Sequence, residues 1–130
     1  MAEITKAPQG ITSILPPAAN QHSNLKAGEA LADLDFVYLK SDGKLWLATG
    51  AAANAAALAI GVTMFTQVGE SAPVYHGVTV RYATGMTPGA RLYVSGTVPG
   101  GLADAASTGG TVPVAIVIDA TRIYVLEPNR

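Results

Sequence analysis

Two histidines, nine acidic residues and no cysteine bound the chemistry open to this chain. His22 lies in a proline-bearing N-terminal stretch, and His76 sits inside an apolar run beside Gly77. Metal and general-base sites recruit histidine together with carboxylates or further histidines. No HxH or HExxH spacing occurs, so His76 reads as a packed or interface residue. Without thiolates, neither a disulfide framework nor a cysteine metal site can form. Asp33 and Asp35 make a DxD pair ahead of an apolar run. Short aspartate side chains commonly bond nearby backbone in turns, and a calcium ion needs more oxygen ligands than this pair offers. A glycosidase pair needs two facing carboxylates, and nothing in the spacing marks which two those would be.

A serine nucleophile finds little support. Ser13, Ser23, Ser41, Ser71, Ser95 and Ser107 all fall in loop-like or strand-edge contexts, and no GxSxG elbow is present. A triad whose members meet only in the fold stays open on these grounds. Gly100-Gly101 and Gly109-Gly110 lie between β-type runs, with neither a following helix nor a GK[ST] signature, so they read as loop glycines rather than a phosphate cradle. Tyr38, Trp46, Tyr75, Tyr82, Tyr93 and Tyr124 offer material for a sugar-binding face, but aromatics within strands more often pack a core or a subunit contact. The pattern is that of a building part, not an enzyme, and it implies no cofactor and no metal.

The elements that carry these residues are short and β-type. Residues 35–40 (DFVYLK) and 44–48 (KLWLA) flank Ser41-Asp42-Gly43, a strong hairpin signal because Asp and Gly suit the turn's positive φ. Residues 51–57 are alanine-rich and predict at most one short, uncapped helix. Residues 58–65 read as a buried strand with Gly61 at a close approach or bulge. Residues 73–82 read as one strand kinked at Gly77. Residues 91–95, 112–119 and 122–127 complete the set, with Asp119-Ala120-Thr121 a tight turn between the last two. Short strands with Gly/Pro turns and almost no helical period argue for a small all-β barrel or sandwich. A faint internal echo adds to this. Val37-Tyr38-Leu39, then Gly43, Leu45 and Ala48, then Ala59-Ile60-Gly61-Val62, parallels Leu92-Tyr93-Val94, then Gly100-Gly101-Leu102-Ala103, then Pro113-Val114-Ala115-Ile116. It suggests duplicated supersecondary units.

Residues 1–24 differ. Pro8, Pro16 and Pro17 keep the backbone extended, and Ile4, Ile11, Ile14 and Leu15 show no sustained period. This segment reads as an extended arm whose apolar side chains contact a neighbouring subunit or shell, leaving residues 25–130 as the barrel-like body. The chain as a whole has 130 residues, 13% charged and 49% hydrophobic, with net charge -1. Ordinary soluble domains carry about 25% charged residues. Such a surface argues against nucleic-acid binding, which needs concentrated positive charge, and against disorder. No secretory signal pattern and no bilayer-spanning run is visible, so synthesis in a cytosol and no membrane partner are expected. A large apolar share with few charges implies surface hidden in subunit contacts.

The series Ala27-Gly28-Glu29-Ala30-Leu31, Asp35-Phe36-Val37-Tyr38-Leu39 and Asp42-Gly43-Lys44-Leu45, followed by the alanine-rich 51–57, Ala59-Ile60-Gly61-Val62 and Pro113-Val114-Ala115-Ile116, resembles the small capsid decoration (cement) proteins of tailed bacteriophages. The resemblance spans residues 25–120, and Ala115 stands where that family often has glycine. It implies a β-tulip-like barrel body that assembles, often as a homotrimer, on the outer surface of the head. There it would bind the major capsid protein and stabilise the shell, as a virion component made in the host cytoplasm. The alternative is a carbohydrate- or receptor-binding module of a phage fibre, which would need exposed aromatics such as Trp46. A small hydrolase working through His76 has the least support.

Overall fold

Proline and glycine interrupt the apolar runs every few residues, so the strands they form are short. A computed structural model describes residues 3–5 and 21–126. In chain order the strands are β1 (Glu3–Ile4), β2 (Gln21–Ala27), β3 (Phe36–Leu39), β4 (Lys44–Leu47), β5 (Gly61–Val62), β6 (Ser71–Tyr75), β7 (Thr79–Arg81), β8 (Arg91–Val94), β9 (Leu102–Ala103), β10 (Ala115–Val117) and β11 (Arg122–Val125). Five of them close a barrel in the order β2-β4-β3-β5-β6, and six form an open sheet in the order β1-β9-β8-β10-β11-β7. The expected all-β, barrel-containing class is what the chain adopts.

The hairpin expected across Ser41-Asp42-Gly43 joins β3 to β4, with Tyr38 opposite Trp46. Gly43 takes φ 81°, and its N–H donates to the Lys40 carbonyl at 2.9 Å. The Asp42 carboxylate accepts from the Lys44 N–H at 2.9 Å. The first half of β3 is buried on both sides, which explains the adjacent Phe36 and Val37, while Leu39 at its end is exposed. Val37 points into the barrel with Ala27, Leu31, Leu45, Ala72 and Val74. Its neighbour Phe36 points the other way, into a larger core shared with Leu92, Val94, Val117, Ile123 and Val125 of the open sheet. A five-stranded barrel has little interior space, and small residues fill it. At Gly61, a Cβ would stand 2.4 Å from the Tyr75 carbonyl oxygen, so the close approach expected there is real.

Four expectations need correction. Residues 58–65 do not form one buried strand: only Gly61–Val62 is strand, and Leu58 and Phe65 at the two ends are exposed. Residues 73–82 do not form one kinked strand but two strands in different sheets, β6 in the barrel and β7 in the open sheet. Gly77, at φ 63°, turns the chain between them, and its N–H donates to the Val125 carbonyl at 2.8 Å. Residues 51–57 form only a 3-10 turn over Ala55–Ala57, and that turn is capped: the Asn54 side chain accepts from the Ala56 N–H at 3.0 Å. The stretch assigned to an arm begins and ends in sheets. Glu3 and Ile4 pair antiparallel with Ala103 and Leu102, and β2 starts at Gln21 rather than after Asn24. Residues 6–20 lie outside the described residues, and with them most of the expected arm.

The internal echo has a topological counterpart. Advancing each barrel strand by five turns β3-β4, β3-β5, β5-β6 and β2-β6 into β8-β9, β8-β10, β10-β11 and β7-β11, and all eight pairings are antiparallel. The barrel closes through a parallel β2-β4 pair. In the second unit, β9 pairs with β1 instead, and the sheet stays open.

Candidate functional site

Of the four residues expected to make arm contacts, Ile4 is described. It is half-buried and packs against the larger core of its own chain, so an outside partner meets only its remaining exposed surface. Ile11, Ile14 and Leu15 lie outside the described residues. His76 is buried at the end of β6 beside the Gly77 crossover, which is a packed position. His22 belongs to β2, opposite Val74. Among the described residues, no three His, Asp or Glu side chains converge as metal ligands would.

Of the DxD pair, Asp35 performs the turn chemistry expected of it, while Asp33 makes a long-range bond. Asp33 Oδ1 accepts from the Phe65 N–H at 2.7 Å, and Asp35 Oδ2 accepts from the Ala32 N–H at 2.9 Å. Between them Leu34 is fully buried at φ 61°, in the left-handed region that costs a non-glycine residue about 1–2 kcal/mol. The two carboxylates and a Leu34 N–H bond to the Thr63 carbonyl (2.7 Å) hold this corner against the strain.

One cavity, of about 230 Å³, opens beside this corner and is lined by Glu3, Ile4, Thr5, Asp35, Tyr82, Val98, Pro99 and Gly101. Ser95 is fully buried nearby; its hydroxyl donates to Glu3 and accepts from the Thr97 and Val98 N–H groups at 3.1 and 3.0 Å. Through its bond to Glu3 this serine anchors β1. Tyr82 is fully buried, edge-on to Phe36 with ring centroids 6.4 Å apart. Its hydroxyl has no hydrogen-bond partner among the described residues. Burial first, then the Asp35 carboxylate, push this phenol far above its ordinary value. The Leu102 backbone N–H offsets part of that without reaching hydrogen-bonding geometry, and Glu3 adds to the rise. The pocket wall is mostly apolar, with the neutral Tyr82 phenol and the Glu3 and Asp35 carboxylates set into it.

Of the residues that carry the decoration-protein resemblance, those from Ala27 to Leu45 help build the barrel, while Pro113–Ile116 lead into β10 of the open sheet. Gly28 presses on the Trp46 indole so closely that a Cβ would fall 2.3 Å from the ring. Glu29 accepts from the Leu47 N–H at 2.9 Å, tying the end of β2 to β4. Trp46 is occupied on further sides: its Nε1–H donates to the Asp42 carboxylate at 3.2 Å, and the Lys40 ammonium lies 4.4 Å from the ring centroid. Tyr38 and Tyr75 pack against the larger core, while Tyr124 is exposed.

Several large apolar side chains face outward. Phe65 is 69% exposed and Val68 63%, and Leu39, Leu58, Val98, Val112, Ile118 and Tyr124 are also exposed. Of these only Tyr124 was singled out from sequence, because an exposed and a buried apolar residue read alike in a strand pattern. No protein-family model matches the chain, and no curated protein does so either.

Proposed function

We propose that this chain is a structural protein that coats and stabilises an assembled phage head, working as a homo-oligomer bound to the outer surface of the major capsid protein. The observation that carries this reading is the set of large apolar side chains left in solvent, led by Phe65 and Val68. They occur on a chain whose charged fraction is only 13%. Phe65 and Val68 lie within one short turn, and neighbouring exposed apolar side chains on a small protein favour an interaction site. The Ala27–Leu31, Asp35–Leu39 and Asp42–Leu45 motifs that suggest the decoration proteins sit in and between β2, β3 and β4, where they shape the barrel. Many copies on a symmetric lattice gain from multivalency, so no single contact need be strong.

The test is co-sedimentation with purified empty heads and, separately, with unassembled coat protein. Saturable binding to heads alone, with a rise in the temperature at which heads rupture, is the expected result. Failure to bind heads would remove the proposal.

A further inference from the structure

We infer that the outer face of the open sheet is the docking face for the 65–70 turn of a second copy of this chain, so that copies join head to tail. The inference deepens the assembly part of the proposed function and rests on that reading. Along β8, β10, β11 and β7, alternate residues point away from the core. The register places Arg91, Ile116, Tyr124 and Thr79 in one row and Arg122 and Arg81 in the next. The Ile118 N–H donates to the Arg122 carbonyl at 2.9 Å, which extends the second row with an exposed isoleucine. All three arginines of the described residues therefore share one face with isoleucine and tyrosine, and arginine and tyrosine are types that association surfaces favour.

Arg81 and Arg122 stand directly opposite each other, and like charges so placed destabilise a sheet. Asp119 answers Arg122, with Nε to Oδ2 at 2.7 Å, but among the described residues no carboxylate pairs with Arg81 or Arg91. The isolated chain thus holds an electrostatic cost that an incoming acidic group relieves. The complementary surface is on the barrel. Residues 67–70 form a turn closed by the Glu70 N–H to the Gln67 carbonyl at 3.1 Å, with Gly69 at φ 86°. That turn lifts Val68 into solvent beside the exposed Phe65 and Glu70, and Asp33 braces the Phe65 backbone at its edge. Two carboxylates flank two apolar knobs, while one cation, Lys26, borders the turn opposite Ser71. Both surfaces are uncovered in one chain, and they are different surfaces, so pairing them between copies gives a heterologous contact that closes into a ring when its rotation permits.

Light scattering on the full chain tests this with Arg81→Glu, Glu70→Arg and the variant carrying both. The wild type should show a multiple of the single-chain mass. Each single reversal should fall to the single-chain mass, and the double reversal, which restores opposite charges at every junction, should recover the assembly. Thermal unfolding verifies that each variant is folded, and Arg81→Thr replaces Arg81→Glu if it is not. A single-chain mass for the wild type, either single variant keeping the wild-type mass, or a folded double variant remaining single would each overturn the inference. Head binding measured on the same samples separates the two ideas. Heads bound by a wild type whose assembly ignores these substitutions leave the proposed function standing and remove this interface.

Discussion

Two residues show how tightly single positions are constrained. Gly61 has the Tyr75 carbonyl where its side chain would be, and that oxygen belongs to the paired strand and cannot swing away. Overpacking a core typically costs about 1–3 kcal/mol, so Gly61→Ala should lower stability by that order in urea unfolding, with the barrel still formed. Tyr82 is the reverse case, since its hydroxyl is buried without a hydrogen bond. A buried unsatisfied group costs about 1–3 kcal/mol, so Tyr82→Phe, which keeps the ring against Phe36, should leave stability equal or higher. The same residue sets an alkaline limit. Its phenol has a folded pKa raised above the ordinary 10.0, so the fold holds the neutral form while the unfolded chain ionises. Its contribution is complete below about pH 10 and is lost above it. Urea midpoints measured between pH 8 and 11 should fall more steeply for the wild type than for Tyr82→Phe. Asp119 behaves oppositely. The Thr121 and Arg122 N–H groups and the Arg122 guanidinium hold its carboxyl at about 2, so the turn it braces should loosen only as pH drops from about 4 through 2. An NMR titration of that carboxyl gives the midpoint directly.

Among the elements, those whose instructions are local were legible in the sequence. The β3–β4 hairpin follows from Asp42-Gly43, and the Asp119 turn from the short spacing between two apolar runs. The β6–β7 break was not legible, because apolar alternation continues through Pro73 to Tyr82 and only the tertiary environment decides that Gly77 passes the chain from one sheet to the other. Strands β1 and β9, two residues each, carry no periodicity at all, and their pairing is set by contacts 100 positions apart, Glu3 to Ala103. The Asn54 cap had its signal, an asparagine ahead of three alanines, and the alanine run drew attention from it. The arginine face was invisible for a different reason: residues 81, 91 and 122 meet only through strand register. Strand β1 offers its own check. Ile4→Asp places a charge on the edge of the larger core, and should cost about 1–3 kcal/mol and raise amide exchange at Leu102 and Ala103 while leaving β3 and β4 protected.

At the level of the whole molecule, the two β units are not independent, because β3 and β5 serve both. Phe36 and Val62 close the core against the open sheet, while Val37 closes the barrel. Phe36→Ala should therefore cost about 3–5 kcal/mol, and Trp46 fluorescence, reporting the barrel, should change at the same denaturant concentration as signals from Tyr93 and Tyr124 on the sheet. Two separated transitions would show the units unfolding separately.

The partnership between Glu3 and Ala103 also has a temporal side. On the ribosome, the segment that supplies β1 emerges well before β9 and then waits for it while translation proceeds at roughly 5–20 residues per second, a delay of roughly 5–20 s. Through that interval the nascent polypeptide can finish its barrel from residues 21–75, yet it carries Phe36 and Val62 uncovered. The β1–β9 seam thus closes only after the barrel strands are made, and β10 and β11 must still follow to complete the sheet over Phe36 and Val62.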